Sequence, residues 1–206
     1  MAATARSGQL GANPDWVHRF GLTERFGHWW TVSMLAVAAL SGLALGDDGS
    51  GPMLVVHVAA VVALTVGALV IVIFGDRRSL VRAATALLRL DHTDRQWLAG
   101  RIRHPLHRQP EPQWGMFNAG QKMMAWALAG SVTGLIGSGL HALFDDAAGG
   151  LHAAFALLTG ALVGAHVFMA VINPATRHAL NAMVHGRVRR SWAAQHHPKW
   201  LSSIGH

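Results

Sequence analysis

The chain has no cysteine and no tyrosine, and it is short of charge: only 13% of its 206 residues are Asp, Glu, Lys or Arg. Soluble domains carry about 25% charged residues, so much of this chain is not built to face water. The absence of cysteine excludes disulfides, Cys-ligated zinc, Cys-ligated iron–sulfur clusters and the C-x-x-C-H attachment of c-type haem. Any metal bound here must be held by His, Asp or Glu. Histidine is abundant: there are 14, against 10 Asp plus Glu. A cysteine-free, histidine-rich, charge-poor chain is the pattern to be explained.

Charge is missing in blocks. Phe26–Gly46, Gly49–Gly75, Met123–Phe144 and Ala147–Thr176 hold no Asp, Glu, Lys or Arg, over 21, 27, 22 and 30 residues. About 20 mainly apolar residues span the hydrocarbon core of a bilayer. Buried helices of soluble proteins rarely run so long without charge. The pattern predicts an all-α integral membrane four-helix bundle in a single domain over residues 1–206. Its helices are expected at about 16–46, 52–75, 116–143 and 149–176, with a loop at 76–115 and a tail at 177–206.

The remaining charges predict an orientation. Asp47, Asp48, Asp145 and Asp146 sit in the connectors after the first and third helices, where there is no Lys or Arg. All 17 Lys and Arg fall in the N-terminal segment, the middle loop and the C-terminal tail. The positive-inside bias puts these three segments, and both termini, in the cytoplasm. Met1–Trp16 is polar and has no apolar stretch of the kind a signal peptide needs. Arg77–Arg108 holds eight Arg against two Asp. Within it, Ser79–Leu90 has an amphipathic helical pattern, expected to lie on the cytoplasmic membrane surface near anionic lipid headgroups. That membrane tether makes the basic run topological, so nucleic acid is not an expected partner. His104–Pro112 reads as an extended connector. No internal repeat is evident.

Ionisable residues inside membrane helices default to functional candidates. His28, His57, His141, His152 and His166 fall in the charge-free windows. At about 1.5 Å per residue, His152 lies roughly 9 Å in from the acidic side and His166 about 21 Å deeper on the same helix. Fourteen residues at about 100° each return to within about 40°, so both imidazoles point nearly the same way. His57 matches the depth of His152, and His28 matches that of His166. Depth alone therefore gives two pairs, His57/His152 and His28/His166. Two imidazoles from facing helices suit the axial positions of a haem iron, a common cofactor of bundle cores. His141, near the acidic side, is a rival for His57 or His152, and an interfacial role fits it equally well. A haem-free proton or metal transporter is the reading from a different class. Such proteins usually carry intramembrane carboxylates, and the four windows have none. Glycines in the third helix, with Gly160 and Gly164 in the fourth, permit close helix packing or leave room for a porphyrin.

Several strings resemble the cytochrome b (gamma) subunit of membrane-bound formate dehydrogenases, a di-haem, four-helix, quinone-reactive family. They are Glu24-Arg25-Phe26-Gly27-His28-Trp29, Val56-His57-Val58, Phe117-Asn118-Ala119-Gly120-Gln121-Lys122-Met123-Met124, Leu151-His152-Ala153-Ala154, Ala165-His166-Val167-Phe168-Met169-Ala170 and the tail Trp192 to Trp200. The N-A-G-Q-K and H-H-P-x-W strings are the specific ones. The resemblance implies two haem b groups, the outer one on His57 and His152 and the inner one on His28 and His166, and it leaves His141 without a ligand role. It implies a quinone site (menaquinone or ubiquinone) at Asn118, Gly120 and Gln121, whose amides and open backbone suit a quinone ring. By spacing alone Asn118 reads as a helix N-cap, and Lys122 as a snorkelling interfacial anchor.

The function implied is that of a non-catalytic electron-transfer and quinone-reducing subunit of an oxidoreductase complex in the bacterial inner membrane. Its implied partners are an iron–sulfur (beta) subunit and a molybdenum- or tungsten-containing catalytic (alpha) subunit, most naturally those of a formate dehydrogenase. The cytochrome b subunit of a hydrogenase, or of another molybdenum or tungsten oxidoreductase, is the nearest alternative. One feature departs from the family: the connector from Gly46 to Pro52 is short, which leaves less outer surface for a periplasmic partner.

Overall fold

A computed structural model of the chain describes residues 15–45, 51–104, 107, 110–145 and 149–204. Four helices in it are long and apolar enough to cross a membrane. These are α1 (Leu22–Leu43), α2 (Pro52–Phe74), α5 (Ala119–Ala142) and α6 (Gly149–Val167), the last extended by a π-helical turn to Ile172. Between α2 and α5 lie α3 (Arg77–Leu88) and α4 (His92–Arg103). The all-α membrane architecture read from the charge-free windows is thus present. The N-terminal segment to residue 14, most of the two acidic connectors and residues 105, 106, 108 and 109 of the His104–Pro112 connector lie outside the described residues.

The helix ends have local causes. Pro52 occupies the first turn of α2, where a missing N–H costs nothing. Asp76 caps α3 by accepting from the backbone N–H of Arg78 and Ser79 at 3.0 and 3.2 Å. Asp91 and Asp94 form a reciprocal capping box on α4, at 2.9 and 3.0 Å. The first helix starts at Leu22 rather than near residue 16, because Trp16–His18 is a strand, β1. The last span stops at Ile172 rather than at 176. There Asn173 is extended, as the residue before Pro174 is sterically biased to be.

Outward faces of the four spans are apolar and exposed, as at Leu40, Val72 and Leu157. With lipid on those faces, every backbone donor and acceptor is kept inside its own helix. The amphipathic segment forms α3, but its protein-facing stripe is Ser79, Ala83 and Ala86, while Val81 and Leu88 turn outward. An apolar outer edge flanked by arginines is what a helix at a headgroup boundary presents.

Opposite the acidic connectors, the chain builds a small cap. Strand β1 pairs antiparallel with β2 (Arg187–Arg189), Val17 lying opposite Val188. Helices α7 (Leu180–His185), α8 (Arg190–His196) and α9 (Pro198–Ser203) close over Val17, Phe20, Met116, Ala182, Val188, Ala193 and Trp200. Gly186 ends α7 at φ +77°, and its carbonyl accepts from the N–H of Arg19 and Phe20. A Cβ at Gly186 would lie 2.7 Å from the Phe20 carbonyl oxygen, so only glycine suits this turn.

Arg19 is buried in the cap, with Phe20, Phe117, Trp192 and Trp200 rings 5.3 to 5.9 Å from its guanidinium carbon. It donates to the Met116 carbonyl at 2.5 Å and sits 3.4 Å from His197 Nε2. Burial holds its pKa down at about 10, still well above neutrality. His197 donates from Nδ1 to the Gly115 carbonyl at 2.7 Å. Its other nitrogen therefore accepts, and the ring bridges Arg19 to Gly115 only while neutral. Burial first, then the Arg19 charge, push its pKa down to about 3. The H-H-P-x-W string is explained by this packing: His197 and Trp200 fill the cap, and Pro198 opens α9.

Lys122 does not snorkel. It is buried, and its ammonium donates to Asp94 of α4 at 2.5 Å and to the Arg89 carbonyl at the end of α3 at 2.9 Å. With a carboxylate partner inside, the side chain has no reason to reach for water. This pair clamps α3, α4 and α5 together, and removing one partner of such a buried pair typically costs about 3–5 kcal/mol.

The cap is accordingly expected to lose stability in acid. A group whose folded pKa lies below its unfolded value stabilises the fold above the unfolded pKa and ceases to as pH falls. For His197 the loss begins below about 6.5 and continues toward about 3. Limited proteolysis of the purified protein between pH 7 and pH 4.5 should show increasing cleavage at the C-terminal tail. His197→Gln, whose side-chain NH₂ replaces the ring N–H donor and which cannot charge, should flatten that dependence. An unchanged profile in the variant would contradict this role of His197.

Candidate functional site

The four spans form two hairpins. Helix α1 packs along α2 and α5 along α6, whereas no comparably extensive contact joins one hairpin to the other. Tight packing within each hairpin comes from residues without bulk. A Cβ at Gly67 would run into the Trp30 indole, and one at Gly134 into the Phe155 ring. By contrast, a Cβ at Gly130, Gly137, Gly160 or Gly164 would meet nothing within 4 Å. The Gly160/Gly164 spacing is therefore not a helix-contact motif in this structure; it keeps space open.

Two imidazole pairs cross from hairpin to hairpin. His57 on α2 faces His152 on α6 with ring centroids 6.1 Å apart and planes at 86°. His28 on α1 faces His166 on α6, also at 6.1 Å, with planes at 57°. The structure thus brings together the residues that depth arithmetic paired. His141 is exposed at the end of α5, 3.7 Å from Asp145, and belongs to neither pair.

The pair nearer the acidic connectors is held by backbone. His57 Nδ1 lies 2.8 Å from the Ala38 carbonyl, and His152 Nδ1 lies 3.1 Å from the Leu135 carbonyl. A carbonyl only accepts, so each Nδ1 carries the proton and donates. That fixes the tautomer and leaves Nε2 with a free lone pair. Ser41 and Ser138 sit beside these contacts, with their hydroxyls 3.5 and 3.3 Å from the same nitrogens. The next residue in each helix is glycine: a Cβ at Gly42 would be 3.2 Å from His57, and one at Gly139 would be 2.9 Å from His152. Each hairpin therefore repeats one cradle, a carbonyl followed three and four residues later by Ser-Gly, for the histidine of its second helix. The recurring pairs Ser41-Gly42 and Ser138-Gly139 are the signal that sequence inspection passed over.

At the cap end, His28 meets Trp29 edge-on at 5.4 Å, and Trp29 Nε1 donates to the Met183 carbonyl. Arg25, one turn before His28, donates to the carbonyls of Gly21 and Val184. Neither His28 nor His166 makes a hydrogen bond among the described residues. Asn118 and Gln121 are engaged with each other. Each side-chain oxygen accepts from the other's backbone N–H, at 2.8 and 3.0 Å, in a capping box that starts α5. Their NH₂ groups make no hydrogen bond among the described residues. A Cβ at Gly120 would approach only Asn118 Oδ1, at 3.4 Å.

The donor set suits a haem. A metal–imidazole bond is about 2 Å long, so two rings flanking one metal stand about 6 Å apart centre to centre. Among the described residues there is no cluster of three or more His, Asp or Glu that could share an ion. Two neutral nitrogens facing across a gap between hairpins fit a metal whose remaining positions are filled by a macrocycle.

The model of the prokaryotic cytochrome b561 family matches residues 19–186. Among curated proteins, the nitrate-inducible formate dehydrogenase cytochrome b556(Fdn) subunit of Escherichia coli K12 is 29% identical over 107 aligned residues. The same subunit matches equally in Escherichia coli O157:H7 and in Shigella flexneri. Each alignment covers 44% of this chain and 45% of the relative, so the chain spans under half the length of the curated relatives it matches. The cofactor implied by such a family is haem b, and the process electron transport. On the family match and the four apolar spans, this chain is a multi-pass membrane protein that belongs to the prokaryotic cytochrome b561 family.

Proposed function

We propose that the chain is a di-haem electron-transfer subunit that delivers electrons to quinone in the bacterial inner membrane. His57 and His152 hold one haem b, and His28 and His166 hold the other. The observation that carries this reading is the pair of facing imidazoles at each of two levels, bridging hairpins that otherwise barely meet. Bound there, haem supplies reversible one-electron chemistry at iron. The protein's own work is to present imidazole nitrogens from facing hairpins, exclude water with apolar helices, and set the two levels about 21 Å apart along α6.

Charge supports an orientation with the cap and both termini in the cytoplasm and the acidic connectors outside. In that frame His57/His152 is the outer pair and His28/His166 the inner. Quinone, menaquinone or ubiquinone, is read at the start of α5. The free NH₂ groups of Asn118 and Gln121 can donate to a quinone carbonyl, and Gly120 leaves the backbone approachable. The electrons come from an iron–sulfur partner fed by a molybdenum or tungsten catalytic subunit. Similarity to a formate dehydrogenase cytochrome favours formate as the primary substrate of that complex.

The purified protein should show b-type α-bands on dithionite reduction and about two haems per chain by pyridine haemochrome. His152→Ala and His166→Ala should each remove one, while His141→Ala should remove none. A haem-free chain, or loss of haem in His141→Ala with full retention in His57→Ala, would refute the ligand assignment.

The double duty of Asn118 sets the test for quinone. Asn118→Ser keeps an N-capping oxygen, whereas Asn118→Ala loses it at a cost of about 1 kcal/mol. Both lack the amide donor. Quinone reduction should slow in both variants with haem spectra unchanged. Normal kinetics in Asn118→Ser would assign the residue to capping alone.

A further inference from the structure

The cap encloses a cation with part of its hydrogen bonding unmet. Arg19 is only 3% exposed. Its Nη2 donates to the Met116 carbonyl and meets His197 Nε2. Its Nε and Nη1 are buried and make no hydrogen bond among the described residues. The Trp192 ring stands 5.5 Å from the guanidinium carbon, and its indole Nε1 is buried and unpartnered in the same way. Buried N–H groups are nearly always bonded to something, so two touching side chains that both leave donors unmet mark a place for an acceptor.

No carboxylate answers the charge of Arg19 among the described residues. Asp47, Asp48, Asp145 and Asp146 belong to the connectors at the other end of the bundle. Glu24 accepts from the Gly21 N–H and the Ser79 hydroxyl, and Asp76 caps α3. Asp94 and Asp91 pair with Lys122 and Lys199, and Glu111 accepts from the Trp114 indole. Asp15, before β1, is exposed. The titratable groups that do stand nearby are basic: His197, His196 stacked on Trp192 at 4.9 Å, and Arg25, which is engaged with the Gly21 and Val184 carbonyls. Burial lowers the pKa of Arg19 only to about 10, so it stays charged. The four rings round it offset part of the cost of burying that charge, but they do not supply the acceptors that Nε, Nη1 and the indole N–H lack.

We propose that Arg19 and Trp192 hold a small monovalent anion, of the halide class, inside the cap. The donor set selects it. A water molecule brings two O–H donors of its own, and the neighbouring Met116 and Gly115 carbonyls already accept from Arg19 and His197. A monatomic anion only accepts, and it also cancels the buried charge, which water does not. Rings packed round the guanidinium on four sides suit an ion of atomic size. The surroundings favour the same sign of ligand: Trp192 also lines a cavity of about 350 Å³ whose titratable walls are Arg177, His178, His185 and Arg189, with no acid among them. Such a basic recess concentrates anions from the surrounding water. The bound ion completes the contact that ties the strand before α1 to the tail after α6. The inference is independent of the haem and quinone assignments, and its failure would leave them untouched.

Crystals of the intact protein grown in bromide test it, with anomalous maps taken above and below the bromine absorption edge so that any iron signal drops out of their difference. One bromide per chain is expected within hydrogen-bonding reach of Arg19 Nε or Nη1 and of Trp192 Nε1. In detergent solution, replacing gluconate by bromide at constant ionic strength should raise the temperature at which the C-terminal tail becomes open to protease. The rise should saturate, as it does for a ligand that binds only the folded state. Trp192→Phe keeps the ring and removes one donor, and should raise the half-saturating bromide concentration about tenfold, the worth of one hydrogen bond to a charged group. Arg19→Met should abolish the response, and Trp192→Phe carries the test if that variant does not fold. Bromide found only beside exposed arginines, an adventitious ion only, would overturn the proposal. So would a water molecule or a protein oxygen seated on Arg19 Nε and Nη1, or an unshifted bromide response in Trp192→Phe.

Discussion

Everything in this protein depends on how two helical hairpins are held apart and joined at the same time. Within each hairpin, small residues let helices close on one another, as Gly67 does under Trp30 and Gly134 under Phe155. Between hairpins there is little contact except at two levels, where imidazoles from opposite sides face each other at 6.1 Å. In lipid there is no hydrophobic drive to shut such a gap, so what fills it decides whether the bundle is rigid. On the proposed assignment, a haem held by one histidine from each hairpin would act as a cross-link at each level. On this account the cofactor is a structural element as well as an electron carrier.

The cap has a complementary task. Lipid-facing spans carry little information about their own register, since their outer surfaces are mostly apolar. Polar contacts outside the spans supply it: Lys122 with Asp94 joins α5 to α4, and Trp29 and Arg25 tie α1 to the segment after α6. Arg19, enclosed by four aromatic rings and bridged through neutral His197 to Gly115, locks the strand before α1 to the tail after α6. These contacts fix the depth at which His28 stands relative to His166.

Much of this was legible in the sequence because a membrane simplifies the problem. Length, absence of charge and rise per residue located the spans, and the depth of His28, His57, His152 and His166 paired them as the structure does. Boundaries failed where local chemistry overrode hydropathy, as at β1 before Leu22 and at Pro174 after Ile172. Lys122 was misjudged because its partner, Asp94, is 28 residues away and only the folding of α4 brings it near. The cap was invisible for the same reason: Arg19 and His197 are separated by 178 residues. The histidine cradles were a different kind of omission, since Ser-Gly recurs in plain view, but only the carbonyls beside it reveal what the pairs do.

The central claim is that each imidazole pair holds one iron. An anomalous difference map collected at the iron absorption edge from crystals of the haem-loaded protein tests it most directly. The account predicts two iron peaks per chain, one between His57 and His152 and the other between His28 and His166, about 21 Å apart along α6. A single peak, or a peak beside His141, would contradict it.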